Sequence, residues 1–461
     1  MKFNKISLAI ATVAAGIAFT GCNMYGKFKM PEDSALGQEY VKATEAQTDS
    51  TAFGNLKWQE VFTDPVLTDL IYQALDNNKD LRNAKLNVDI AHAQLLGARL
   101  SYLPSIALAP NAGKANYDGN WSAWSYQIPL AASWEVDIFG KILNSKRGAR
   151  AAYEMSKDYH QAVRSQIIGA VANTYYALAA LENSLTLSRN TAELWKQSVQ
   201  TMKDLKEAGR VNEAAVVQST AQYYSILASI TDLEVQLDQM NNTMSLLMNV
   251  MPQKWMVSAD ATLNVPEILR EAIPMRELAA RPDVRAAEQS LAAAYYTTAA
   301  ARSAFYPGLS ITANGGFTNS VGSLITNPGV WFVQLAGSLT APLFSRGANI
   351  SRLKAAKAQQ QQALNNFEYT IMSASAEVGD AMTTYEKSIE KSDYLTEQVD
   401  NLEKSVEYTE ELLRLGTSGT TYLEVLTAQQ NLLQSQLAEI SNNRAKASAV
   451  INLYQSLGGG R

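Results

Sequence analysis

The chain is 461 residues long and sets 44 Asp and Glu against 39 Lys and Arg, for a formal net charge of −5 and a pI near 5.4. Nucleic-acid binding calls for a basic face, and that balance argues against it. A single cysteine excludes a disulfide within the chain, and two histidines leave little material for a metal site or a catalytic pair.

Lys2 and Lys5 precede an apolar run from Ile6 to Phe19, which ends in Thr20-Gly21-Cys22. A basic start, a short apolar core and small residues at the cut describe a secretory signal over residues 1–21 rather than a membrane span. Cys22 resembles the cysteine of a bacterial lipobox, which receives lipid and becomes the first residue of the mature chain. The bland alternative is a plain signal with an incidental buried cysteine. No other stretch reaches about 18 unbroken apolar residues, so no membrane-spanning helix is expected. Residues 22–57 are polar and mixed, and read as an extended, lipidated tether.

Trp58 to Leu75 reads as an amphipathic helix in which Asp64 supplies a cap and Pro65 takes the first helical position. Asp80 to Tyr102 is a second helix, ended by Pro104. The period then changes to two. Tyr126, Ile128, Leu130, Ala132, Trp134, Val136 and Ile138 alternate with mostly polar or small residues. Leu309, Ile311, Ala313, Gly315 and Phe317 do the same, as do Trp331, Val333, Leu335, Gly337, Leu339 and Ala341, and Ser105 to Asn111 is a weaker example. Such alternation over about 10 residues is the pattern of a membrane β-barrel strand. A soluble sheet with one wet face gives the same pattern.

Two windows, Leu130 to Met251 and Leu343 to Arg461, hold none of the 12 prolines. Proline within a helix costs about 3 kcal/mol, so windows without it read as very long helices. Leu178, Leu181, Leu185, Ser188, Ala192, Trp195, Val199 and Met202 recur in steps of 3 and 4, and after Gly209 a second seam runs from Val216 to Leu247. In the other window Leu395 to Leu413 forms a seam before Gly416, and another runs through Leu423, Leu426, Gln430, Leu433, Leu437, Ile440, Arg444, Ala447, Ile451 and Tyr454. Seams of this spacing drive coiled-coil packing, and a glycine between two of them turns the chain. Each window is therefore an antiparallel helical hairpin. At the tips glycine permits positive φ and close backbone approach.

The halves superimpose. Asp80-Leu81-Arg82 aligns with Asp283-Val284-Arg285, Leu130 to Phe139 with Leu335 to Phe344, and Thr220-Ala221-Gln222 with Thr427-Ala428-Gln429. Shared composition is the alternative, but landmarks in constant order favour an internal duplication far larger than a solenoid repeat. The first repeat spans 58–265, with strands at about 105–138 and helices at about 80–102, 143–208 and 214–249. The second spans 266–461, with strands at about 309–343 and helices at about 283–305, 347–414 and 421–457. The fold class is α+β, with four strands per chain continued by long helical hairpins.

Four strands cannot close a barrel, and open edges in lipid leave backbone groups unpaired. Copies must therefore associate, and two, three or four of them give acceptable strand numbers. A helix from Leu143 to Ala208 is about 100 Å long and extends well beyond a bilayer. His92 and His160 stand apart on helices, and no phosphate loop, paired-cysteine site or nucleophile elbow is present. No catalysis, cofactor or metal is expected.

The chain resembles the outer-membrane factors, the TolC-like tunnel proteins of Gram-negative bacteria, in the lipoprotein branch that serves multidrug efflux. The resemblance rests on Ala279-Ala280-Arg281-Pro282-Asp283-Val284-Arg285, Phe305-Tyr306-Pro307, Ala341-Pro342-Leu343-Phe344 and Trp134-Glu135-Val136-Asp137-Ile138-Phe139-Gly140. Leu457-Gly458-Gly459-Gly460 adds to it, though Arg461 stands where the family usually has an aromatic residue. What the resemblance implies is an outer-membrane homotrimer with a 12-stranded transmembrane β-barrel, a coiled-coil tunnel across the periplasm and a small equatorial domain. It implies Cys22 as the lipid attachment. The periplasmic tips, Gly209-Arg210 and Gly416-Thr417, would meet a periplasmic adaptor that leads to an inner-membrane transporter. Only Glu424 is acidic near the second tip, against a cation-binding ring, and Arg210 would place positive charge at the mouth. The expected function is a passive exit duct for drugs or other small molecules. Alternatives are the outlet of a type I protein-secretion or metal-efflux system and, from another class, a structural coiled-coil lipoprotein.

Overall fold

The computed structural model describes residues 26–45, 54, 56–258, 275–319, 330–415 and 422–460. Chain order begins with helices α1 (Ala35–Glu45), α2 (Trp58–Val61), α3 (Pro65–Asn77) and α4 (Lys79–Leu100). Strands β1 (Ser105–Leu108), β2 (Asn111–Gly113), β3 (Asn116–Tyr117), β4 (Asn120–Trp121) and β5 (Ser125–Val136) follow, then α5 (Lys141–Glu207) and α6 (Glu213–Leu247). The second half supplies α7 (Met275–Ala279), α8 (Pro282–Ser303), β6 (Gly308–Thr318), β7 (Val330–Thr340), α9 (Ala348–Arg414) and α10 (Tyr422–Ser456). Helix lengths pair between the halves: 22 residues for α4 and α8, 67 for α5 and α9, and 35 for α6 and α10.

The chain divides into two compact units, each drawing on both sequence repeats. One combines Met1–Gln38, Leu86–Asp158 and Arg285–Tyr369. It holds the sheet, in the order β1-β5-β6-β7 with β2 also on β5, and all pairs are antiparallel. Pro110 and Pro129 explain why β1 and β2 are separate pieces of one strand. The β1 and β2 pairings stop at Leu108↔Leu130 and resume at Asn111↔Gln127, and neither proline between them has an N–H for the ladder. Opposite Pro129, Gly316 comes so close that an added Cβ would meet the Ile128 carbonyl and the Pro129 backbone. Here the glycine is required by close approach.

In the same unit the segment expected to be a wholly extended tether is partly helical. Ser34 caps α1, its Oγ accepting from the Gly37 amide at 3.0 Å and donating to Glu368 Oε1 at 2.6 Å. Upstream, the Phe28 amide donates to the Tyr296 hydroxyl and Arg147 donates to the Gly26 carbonyl. A polar composition concealed these long-range partners, and Met30 and Tyr40 of the same segment are buried as well.

The other unit combines Glu39–Lys85, Tyr159–Val284 and Thr370–Arg461. All eight expected α5 seam positions, from Leu178 to Met202, are buried. Leu185, Ala192 and Trp195 pack with Ile226 and Ile230 of α6 and with Leu426 and Leu433 of α10. A second cluster gathers Trp58, Phe62, Leu67 and Ile71 around Ile168, Val171, Tyr175 and Leu178 of α5, with Met244, Ile451 and Tyr454. The α10 seam departs from expectation at Leu423 and Arg444, which are exposed, while Asn442 is buried and donates to the Ser388 carbonyl at 2.8 Å. The departure is local, because Ala447, Ile451 and Tyr454, the next positions in the same count, are buried.

Candidate membrane face, hairpin tip and helix junctions

Strand register turns the alternating pattern into two faces. Leu108, Leu130, Gly315 and Val333 form one row across the sheet, and Ile106, Ala132, Ala313 and Leu335 form the next. Facing the other way are the rows Ser105, Ser133, Thr312 and Ala336, and Glu135, Ser310 and Ser338. One face is therefore apolar across all strands and the other is small and polar. Leu335 is 74% exposed and Trp331 68%, so this face has no cover among the described residues. Aromatic residues bound it. Trp134, paired with Ile311, donates its indole N–H to the Tyr102 carbonyl at one rim, and Phe317 pairs with Trp331 at the other. From Ile311 to Phe317 these rows run about 20 Å measured along the strand. The outer edges, β1 with β2 on one side and β7 on the other, have no further strand among the described residues.

At the first tip α5 ends in a Schellman turn. The Arg210 amide donates to the Leu205 carbonyl and the Gly209 amide to the Lys206 carbonyl, each at 2.9 Å. Gly209 holds φ +64°, which an L side chain rarely adopts. Close approach is not its reason, because an added Cβ would meet nothing within 4 Å. Arg210 is exposed beside it, Asn212 caps α6 through the Ala215 amide, and Lys206 pairs with Glu213 across the turn. Gly416 and Thr417 lie outside the described residues, as does Cys22.

Sequence reasoning missed the side chains that join a short helix end to end with another at two junctions. Asn78 caps α4, its Oδ1 accepting from the Asp80 and Leu81 amides, while its Nδ2 donates to the Leu247 carbonyl at the end of α6. One amide side chain thus closes two helix ends. The matching position in the second repeat is Arg281, which donates to the Ser456 carbonyl at the end of α10 at 2.8 Å. Arg281 also grips both Asp283 oxygens, at 3.0 and 2.7 Å, and reaches Glu377 of α9 at 2.7 Å. Burial opposes its charge, but Asp283 and then Glu377 more than compensate and raise its pKa. The available signals were the cap-like Asn78 before Lys79-Asp80 and the Arg281-Pro282-Asp283 motif.

A further knot lies at Asp64. It caps α3 through the Val66 and Leu67 amides and accepts the Tyr175 hydroxyl at 2.6 Å, which in turn accepts from the Ser258 amide. The C-terminus is held nearby in sequence terms by Tyr454, whose hydroxyl donates to the Leu56 carbonyl and accepts from the Gly460 amide. Arg164 and Gln161 donate to the Gly460 carbonyl. His92 is exposed, with its ring 5.5 Å from that of Tyr153. His160 is half-buried, and burial, with Arg164 and Lys85, lowers its pKa. No group of three or more His, Cys, Asp or Glu among the described residues is arranged to hold a metal ion. No described helix is long and apolar enough to cross a membrane.

Comparison with known proteins converges on one family. The profile described as Outer membrane efflux protein matches residues 70–250 and again 273–459. The cation efflux system protein CusC of Escherichia coli is 27% identical over 452 residues, covering 96% of this chain and 97% of its own. The toluene efflux pump outer membrane protein TtgC of Pseudomonas putida is 27% identical over 477 residues, covering 100% of this chain and 96% of its own. The solved structure of the outer-membrane channel OprN, 25% identical, aligns with a TM-score of 0.84 over 95% of this chain and 99% of its own. With both repeats matched, the chain belongs to the outer membrane efflux protein family.

Proposed function

We propose that this outer-membrane efflux channel is the passive exit duct of a tripartite system, fed by a periplasmic adaptor and an inner-membrane transporter. The observation that carries the reading is the sheet, with one apolar face in register across its strands and no further strand on either edge among the described residues. Three copies contribute 12 strands and close the edges that lipid would leave unpaired. The polar faces then line the bore. Conduction needs no catalytic step, and energy comes from the transporter.

The lipid anchor is assigned to Cys22. Gly26 is held by Arg147, near the start of α5 and so near the Trp134 rim of the apolar face. Four extended residues reach about 14 Å, enough for Cys22 to place an acyl chain in the leaflet at that rim. Adaptor contact is assigned to the tips, Gly209-Arg210 and Gly416-Thr417. Cargo is set by the transporter, and equal identity to a cation exporter and a toluene exporter ranks neither class above the other.

Deletion of the gene tests the reading. The strain should become sensitive to a panel of drugs or metal ions and regain resistance with the full chain. Unchanged susceptibility across drugs, solvents and metals would contradict an export role.

A further inference from the structure

The two end-to-end junctions are not equivalent, and the difference points to a device in the second hairpin. Asn78 and Arg281 occupy matching positions before α4 and α8, and both donate to the last carbonyls of a 35-residue helix. Asn78 is neutral, and its amide serves only the two helix ends it joins. Arg281 is 6% exposed, charged, and bound to three segments at once: α10 through the Ser456 carbonyl, α8 through Asp283, and α9 through Glu377. The α5 residue matching Glu377 is Ala170, which has no group to accept such a bond. The long helix of the first repeat therefore lacks the tie that the second possesses.

We propose that Arg281 is a positioning residue that pins α9 to the α10–α8 junction, with Glu377 as the catch on α9. The geometry suits the task. A guanidinium forks over one carboxylate and still has donors for two further acceptors, which an ammonium or an amide cannot match. Glu377 also receives a weaker bond from Ser373 one turn away, at 3.4 Å, so its other oxygen is steadied on α9 itself. From Glu377 to the end of α9 at Arg414 is about 55 Å. A tilt of about 5° at the catch moves that end by about 5 Å, so the tie sets where the second tip sits relative to its base. This consequence for docking rests on the proposed role of the tips, whereas the tie itself does not.

Hydrogen–deuterium exchange on the purified full-length assembly reads the tie directly, whatever the duct carries. Glu377→Gln removes the ionic catch but leaves Arg281 paired with Asp283. Arg281→Asn copies the first-repeat junction and keeps a donor for Ser456. Both variants should raise exchange over residues 370–384 about tenfold, the scale of an ordinary coupling between sites, with residues 166–178 of α5 unchanged. Asn78→Ala should loosen residues 79–81 and 247–250 without affecting 370–384. Placing Asn78→Arg together with Ala170→Glu should build the missing tie and slow exchange over 166–178. Should Arg281→Asn fail to assemble, Glu377→Gln alone decides. Unchanged protection of 370–384 in Glu377→Gln, or an equal rise over 166–178, overturns the proposal.

Discussion

At Asp64 one carboxylate binds the start of α3, the middle of α5 and the segment around Ser258. Burial alone pushes this carboxyl up, but hydrogen bonds from Tyr175, Val66, Leu67 and Ser258 outweigh it and hold the pKa below the ordinary 3.8. A carboxyl whose folded pKa is depressed adds stability above its unfolded value and loses it as pH falls through the folded one. The Asp64 contribution is thus intact at neutral pH and fades below about pH 4. Thermal unfolding followed from pH 6 to pH 3 should show a shallower acid loss in Asp64→Asn than in the parent. Parallel curves would mean that the network carries no linkage. The cap itself was legible, because Asp64-Pro65 before an apolar stripe is a local signal. Its bond to Tyr175 joins residues 111 positions apart, and no local pattern encodes a partner at that distance.

Among the elements, the strands and long helices were the most legible, and the junctions the least. Period-two alternation identified which residues share a strand face, and register then aligned Leu108, Leu130, Gly315 and Val333 in one row. The gap at Pro110 and Pro129 was not anticipated, although both residues lack the needed donor. The seam through Leu178 to Met202 was read correctly because every position packs inward. Arg444 was misread because a 3–4 count ignores side-chain chemistry: the positions after it, Ala447, Ile451 and Tyr454, are buried, while the charged residue itself stays exposed.

Two substitutions separate the sheet faces. Leu335→Arg puts a charge in the middle of the apolar band and should cost about 2–4 kcal/mol and much of the assembled protein. Gln334→Arg, on the other face, should assemble normally and alter single-channel conductance instead. Equal loss of assembly from both would contradict the assignment of faces. At the tips, Gly209→Val forces a β-branched residue to positive φ and should strain only the turn, while Gly416→Trp should abolish export. Neither should change the amount of assembled protein, and export at parental levels in Gly416→Trp with normal adaptor crosslinking would move the docking site elsewhere.

For the whole molecule, the signal and the anchor make one prediction. Intact-mass measurement of protein from membranes should give a chain beginning at Cys22 with added acyl mass, and a free thiol there would refute lipidation. The larger claim is that the barrel is built in trans, because the described sheet has an apolar face with no cover and edges with no partner. Helices of 67 residues and paired repeats were visible in the chain, but the number of copies was not, since 8, 12 and 16 strands all satisfy the same backbone requirement. Native mass spectrometry in mild detergent tests this most directly. The account predicts three copies per particle with no folded smaller species, and a stable folded monomer would contradict it.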